Sequence, residues 1–249
     1  MRAVEELLAS GAADVQRLYV EYRTANPRVE AAVQRAREAN IDIQSANRAR
    51  LAQISGESRH QGIVAEVQRN TLLDESGVRT LVEEALAAGR APLLLLLDGV
   101  QDPHNLGACL RSADAAGVDA VIVPRHGAAR MSPAVSKVAA GAAETLPFAA
   151  VPNMNRVLDW LGDYGVFRVG TSDRAEGLLF DSDLTGPLAL VLGGEERGIG
   201  KGVAGRCDAL VSLPMLGQVA SLNVSVAAGI CLYEALRQRR ALAAARDSG

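Results

Sequence analysis

Up to about Gln68 the apolar residues come in short blocks whose spacing switches between helical and strand periods. Val4, Leu7 and Leu8 fall on one helix face, Arg17 to Val20 reads as a strand, and Pro27 to Ala39 is an amphipathic helix. Ile41 to Ile43 is a short strand, Arg48 to Ile54 another helix, and Gly62 to Val67 a further strand. A polar stretch from Asn70 leads into one helix that stops at Gly89, a residue suited to a left-handed C-cap. From Pro92 the pattern changes. Pro92 to Leu97 is an unbroken apolar run, as a strand covered on both faces requires. Helical spacing then returns at Asn105–Ala116, Ser132–Ala142, Asn155–Leu161 and Leu222 to about Ala245. Between these lie the strand-like blocks Ala120–Val123, Leu146–Val151, Val166–Gly170, Leu188–Leu192 and Ala209–Leu213. The alternation predicts an α/β fold around a mostly parallel sheet.

Composition narrows the class. Of 249 residues about half (49%) are apolar, enough for a large core without disulfides or metals. No apolar run reaches the ~18 residues of a membrane span. The opening MRAVEELLAS is charged and lacks a signal-peptide core, so a cytoplasmic protein is expected. Cys109, Cys207 and Cys231, like His60, His104 and His126, are scattered without ligand spacing. No metal is therefore expected, and the cysteines read as small buried hydrophobes. The net charge of −3 offers no global attraction to nucleic acid, so any such surface must be local. Apart from Lys137 and Lys201 every cation is an arginine, the better fork for phosphate, although a GC-rich genome produces the same bias. Arg23, Arg28, Arg35, Arg37, Arg48, Arg50 and Arg59 alternate with acids, which suits a solvated face or an RNA-facing one.

Parallel sheets bind ligands beyond the carboxyl ends of their strands. Three of these ends carry unusual loops. After Leu97 comes DGVQDPHNLGACLRSADAAG, in which Asp102 or Asn105 can cap a helix and Gly107 permits close approach in its first turn. Asn105 and Arg111 are six residues apart and share a helix side only loosely. After Leu192 comes GGEERGIG, whose four glycines free the backbone to approach a ligand beside the Glu195 carboxylate. It fits neither G-x-G-x-x-G nor G-x-x-x-x-G-K-[ST], so no dinucleotide or P-loop assignment follows, and a nicotinamide oxidoreductase is disfavoured. After Leu213 comes PMLGQVASLNVS, where Ser221 is placed to cap the last helix with Asn223 and Ser225 in its first turn.

Together, DPHNLGACLRSADAAG, LALVLGGEERG and LPMLGQVASLNVSVAAGI resemble the three motifs of the SpoU-class (SPOUT) ribose 2′-O-methyltransferases, and SKVAAGAAETLP between them is also similar. The likeness runs from about Leu93 to Arg240 in order and spacing. The HQG of His60–Gly62 resembles the branch of the family that methylates guanosine in 23S rRNA and carries an N-terminal domain similar to ribosomal protein L30e. The resemblance implies an L30e-like RNA-binding domain over residues 1–70, a linker over 71–90 and a catalytic domain over 91–249. It further implies a C-terminal deep trefoil knot, S-adenosylmethionine as co-substrate, no metal and a homodimer. By the same likeness Gly194, Ile199, Leu213, Met215 and Leu222 contact the co-substrate. Arg111 is the implied base, with Asn105, Glu195, Ser221, Asn223 and Ser225 arranging RNA and co-substrate. Relatives usually open with a strand and a glycine-containing turn, which MRAVEELL does not match, so that strand is expected to be trimmed or absent. Transfer RNA as substrate, and a knot-type domain that binds RNA without methylating it, are the competing readings.

Overall fold

The computed structural model describes residues 4–5, 7–8, 15–22, 26–55, 60–67, 73–195 and 197–247. The described residues of the opening segment, 4–5 and 7–8, are helical, as the spacing of Val4, Leu7 and Leu8 predicts. Arg23 and Arg59 lie outside the described residues. The chain divides into two compact units, Met1–Arg69 and Asn70–Gly249.

In the first unit β1 (Val15–Glu21) is the centre of a three-stranded sheet, with β2 (Asp42–Ala46) parallel on one side and β3 (Ile63–Val67) antiparallel on the other. Helix α1 (Pro27–Glu38) is capped by Asn26 and buries Val29, Ala32 and Ala36, the positions its helical period selects. Helix α2 (Arg48–Ser55) contributes Leu51. Arg17 spans the sheet surface, donating to Asp42 at 2.6 Å and to the Tyr19 hydroxyl at 3.3 Å, while Tyr19 donates to Glu66 at 3.0 Å. Arg28 is paired with Glu5. Gln61 and Gly62 turn with φ of 53° and 83°, and the Gly62 amide donates to Nδ1 of buried His60 at 3.2 Å, so the chain enters β3 through a tight left-handed turn.

The second unit is three layers deep. Its seven strands are β4 (Leu93–Asp98), β5 (Ala120–Pro124), β6 (Phe148–Val151), β7 (Phe167–Thr171), β8 (Gly177–Leu178), β9 (Leu188–Gly193) and β10 (Ala209–Ser212). They lie in the order β6-β5-β4-β9-β7-β10-β8, and every recorded pairing is parallel. The five leucines of β4 are at most 2% exposed because both faces are covered. Leu93, Leu95 and Leu97 face one core, joined by Leu106 and Leu110 of α4 (Pro103–Ala115) and by Ala228, Cys231 and Leu232 of α9 (Val224–Asp247). Leu94 and Leu96 face the other, with Val78 and Val82 of α3 (Glu75–Ala87) and Val157, Leu158 and Leu161 of α7 (Met154–Asp163). Residues 71–90, expected as a linker, thus include a helix whose apolar side enters the second core. A two-residue strand, β8, with the 3-10 turn Leu179–Asp181, closes one edge and was not foreseen.

The helix expected over Ser132–Ala142 is two pieces, α5 (Pro133–Ala139) and α6 (Ala142–Thr145), because Ala140 and Gly141 adopt φ of 53° and 101°. The short helix α8 (Lys201–Ala204) follows the glycine-rich loop. Between β7 and the start of β10, Arg168 grips Asp208 at 2.6 and 2.9 Å, and the Arg168 amide donates to the same carboxylate at 2.8 Å. The guanidinium holds the Asp208 carboxyl below its usual range. No helix among the described residues is long and apolar enough to cross a membrane.

Candidate active site

The strands β4, β9, β7 and β10 are neighbours and parallel, so the loops that follow them share one edge of the sheet. Asp98, the last residue of β4, fastens the glycine-rich loop at both ends. Its backbone carbonyl accepts from the Gly194 amide at 2.9 Å, and its carboxylate accepts from the Gly200 amide at 2.8 Å. The loop also closes on itself, with the Gly198 amide donating to the Gly194 carbonyl at 2.9 Å. Glycine is required here by space. A Cβ on Gly193 would lie 1.9 Å from the Gly198 carbonyl carbon, and one on Gly194 would lie 2.2 Å from the Gly99 oxygen.

Three loops then meet through side chains. Asp102 caps α4, accepting from the His104 amide at 2.8 Å, and so presents Asn105 on the first turn. Asn105 donates its Nδ2 hydrogen to Glu195 and accepts from Asn223 Nδ2 at 3.0 Å. Asn223 Oδ1 accepts from the Ser225 amide at 2.9 Å and from the Ser225 hydroxyl at 2.6 Å. Ser225, Asn223, Asn105 and Glu195 thus form one continuous chain of hydrogen bonds. Asn223 is the residue that caps α9, with its carbonyl accepting from Ala227 at 2.9 Å. This corrects the expectation for Ser221, which lies two residues earlier, in the preceding loop. Close approach at Gly107 is also real, but its object is α5. A Cβ there would meet Val138 at 2.7 Å and the Val135 carbonyl at 2.8 Å.

Beside this chain opens a cleft of about 690 Å³, a volume suited to a nucleoside-sized ligand. Of the predicted residues, Gly194, Glu195, Ile199, Leu213, Met215, Ser221, Leu222 and Asn223 line it. Asn105 and Ser225 reach it through their hydrogen bonds. Arg111 does not line it; it is exposed on α4, six residues beyond Asn105. Two features escaped the sequence reading. Nothing in the sequence marks Asp98 as the clasp of the glycine-rich loop, and the polar run Thr171 to Arg174 at the end of β7, which lines the cleft, is absent from the motifs above. A polar cluster at a parallel strand's carboxyl end is the signal that could have found it. Burial pushes the Cys109 and Cys231 thiols up to about 12 and the Cys207 thiol up to about 11, so none supplies a thiolate at neutral pH. Among the described residues no group of three or more His, Cys, Asp or Glu is placed to hold a metal.

Comparison with known proteins agrees with this architecture. Residues 92–233 match the SpoU rRNA Methylase family, and residues 1–72 match the family described as RNA 2′-O ribose methyltransferase substrate binding. This chain belongs to the SpoU rRNA methylase family. A 23S rRNA (guanosine-2′-O-)-methyltransferase of Coxiella burnetii is 46% identical over 241 residues, covering 97% of this chain and 95% of that protein. One from Pseudomonas syringae is 46% identical over 242 residues, again covering 97% and 95%. Among solved structures, the SpoU methyltransferase AviRb of Streptomyces viridochromogenes in complex with AdoMet superposes with a TM-score of 0.68 at 27% identity, covering 96% of this chain and 89% of that one. The seven-stranded unit therefore carries the SPOUT fold of SpoU methyltransferases.

Proposed function

We propose that this SpoU methylase transfers the methyl group of S-adenosylmethionine to the ribose 2′-hydroxyl of a guanosine in 23S rRNA. The observation that carries the reading is the hydrogen-bonded chain from Ser225 through Asn223 and Asn105 to Glu195, which joins all three motif loops at the rim of the cleft. The cleft suits the co-substrate. Ile199, Leu213, Met215 and Leu222 offer apolar surface, and the glycine loop lets backbone approach where a Cβ could not fit. When bound, S-adenosylmethionine supplies an electrophilic methyl group and needs no metal to do so. The chain's own task is to align a hydroxyl and to dispose of its proton. In this reading Gly194, Ile199, Leu213, Met215 and Leu222 hold the co-substrate. Asn105, Glu195, Ser221, Asn223 and Ser225 fix the geometry at its edge, and Arg111 engages the RNA backbone.

Residues 1–70 serve as an RNA-holding domain, residues 71–90 as the connection and residues 91–249 as the catalytic domain. The family match over 1–72 supports the first assignment. The working unit is a homodimer. Its support is apolar exposure next to the site: Leu216 is 99% exposed, Val219 65%, and Val226 and Tyr233, two turns apart on α9, 50% and 52%. A single-chain mass by analytical ultracentrifugation in an active preparation would overturn the dimer.

The deciding experiment uses labelled S-adenosylmethionine with 23S rRNA lacking its modifications, followed by primer extension at low nucleotide concentration. The expected result is one stop at a guanosine. Incorporation into transfer RNA alone would keep the chemistry and overturn the substrate. Co-substrate binding without transfer to either RNA would leave a binding protein.

A further inference from the structure

The carboxyl edge of the sheet holds a second cavity, of about 440 Å³, over the ends of β5 and β6. Its floor is apolar, formed by Val123, Phe148, Ala150 and Met131. Its rim is cationic, because Arg125 and Arg130 both lie in the exposed segment between β5 and α5, with His126 beside them. Among the described residues neither Arg125 nor Arg130 takes part in an ion pair. Arg17, Arg28, Arg90, Arg156, Arg168, Arg206 and Arg237 all do. The one carboxylate of the lining, Asp74, turns to its own helix, accepting from the Gly77 amide at 2.8 Å and the Ser76 hydroxyl at 2.7 Å. The cations are thus left to an anion from outside.

This segment is one loop away from the cleft. The Ala129 amide donates to the Val100 carbonyl at 2.8 Å, and neighbouring Gly99 is the residue against which Gly194 packs. Proteins that read single-stranded RNA splay a base onto an apolar or aromatic surface and hold the flanking phosphates with guanidinium groups. Both elements are present here, about three strand spacings along the sheet from the cleft, roughly 15 Å at ~4.8 Å per strand, a span that a short run of nucleotides can cover. We propose that the cavity takes up one unpaired nucleotide a short way along the strand from the methylated one. Its base lies over Phe148 and Met131, and its phosphates lie on Arg125 and Arg130. This rests on the RNA-methyltransferase reading and adds to it a second point at which the substrate strand is held.

The test is the affinity of the full-length protein for an unmodified, fluorescently labelled 23S rRNA fragment, measured by anisotropy over a range of salt. Arg125→Ala/Arg130→Ala is expected to weaken binding at least tenfold. Loss of two phosphate contacts should flatten the log–log salt slope by about 1.4, at ~0.7 per contact for a single strand. Ala150→Leu fills the cavity without altering charge, and is expected to weaken binding at least threefold at an unchanged slope. Arg90→Gln, at the amino edge of the sheet, should bind as wild type does. AdoMet affinity certifies folding, and Ala150→Val replaces the leucine variant if that one fails to fold. Equal RNA affinity in all variants overturns the proposal, and so does an Arg90→Gln loss as large as that of the pair. A wild-type result for the cavity-filling variant also overturns it, leaving only a surface contact. Methyl transfer by the wild type is assayed alongside. Its absence defeats the functional reading, whereas transfer together with unchanged variants defeats the cavity alone.

Discussion

Replacing Arg111 by alanine is expected to slow methyl transfer at least a hundredfold while leaving S-adenosylmethionine affinity within twofold of wild type. The side chain is exposed, lies outside the cleft lining and has no hydrogen-bond or ion-pair partner among the described residues. Its removal therefore takes nothing from the fold or from the co-substrate site. What is lost is a fork able to grip a phosphate in two parallel hydrogen bonds, on the helix that also presents Asn105 about 9 Å away along the axis, at ~1.5 Å per residue. Holding an arginine neutral so that it can act as a base near neutral pH would cost several kcal/mol, comparable to the stability of a whole domain. A base of that kind is therefore a poor account of the role. A guanidinium that stays charged and positions the ribose by holding a phosphate, the hydroxyl proton leaving to solvent, avoids this cost. Arg111→Lys separates charge from fork, because lysine keeps the charge as a point and loses the planar pair of donors. Single-turnover rates at saturating RNA should fall below a tenth of wild type for lysine as well. Retention above a tenth would sink the clamp, and a parallel loss of co-substrate affinity in the alanine variant would put Arg111 in the cleft instead.

The strands were legible because covered parallel strands leave continuous apolar runs. Leu93 to Leu97 and Leu188 to Leu192 could hardly be anything else. The site was legible through the likeness of its three loops to the family's motifs, and eight of the eleven residues that the likeness implied line one cleft. The order of strands was not legible. Parallel neighbours are set by crossovers, and no local pattern places β9 between β4 and β7. At the break, Gly141 is itself a stop signal, but a lone glycine within a helical pattern does not fix a stop, and nothing in the sequence marks Ala140 for its left-handed conformation. Ser221 and Asn223 are both good caps, so sequence could not choose between them. Asn223 prevails because its amide also reaches Asn105, a partner 118 residues away. In the first unit the neutralisation of Arg17 and Arg28 by Asp42 and Glu5 depends on long-range pairing, which charge alternation along the chain does not reveal.

The second large effect is expected at Gly193, the last residue of β9. Its neighbours along the loop are backbone, with Gly198 carbon at 1.9 Å, Ile199 nitrogen at 2.1 Å and Gly198 oxygen at 2.3 Å from where a Cβ would stand. No side-chain rotation can relieve contacts of that kind. The loop cannot step back either, because Asp98 holds it at Gly194 and again at Gly200. One methyl group must therefore break a backbone hydrogen bond or push the strand end out of register with Asp98, its partner in the ladder. Overpacking at immovable backbone sits at the upper end of the usual range, about 3 kcal/mol. For a unit of this size that lowers Tm by about 6–12 °C. Displacing the loop also displaces Glu195 and Ile199 from the cleft wall, so Gly193→Ala should bind S-adenosylmethionine at least a hundredfold more weakly. Gly186→Ala is the control, since a Cβ there meets nothing within 4 Å, and it should melt and bind as wild type does. Calorimetric titration and thermal unfolding read both quantities on the same samples. A Gly193→Ala protein that melts within about 2 °C of wild type and binds with full affinity would mean that the loop can yield. Asp98 would then not be the clasp that shapes the co-substrate site.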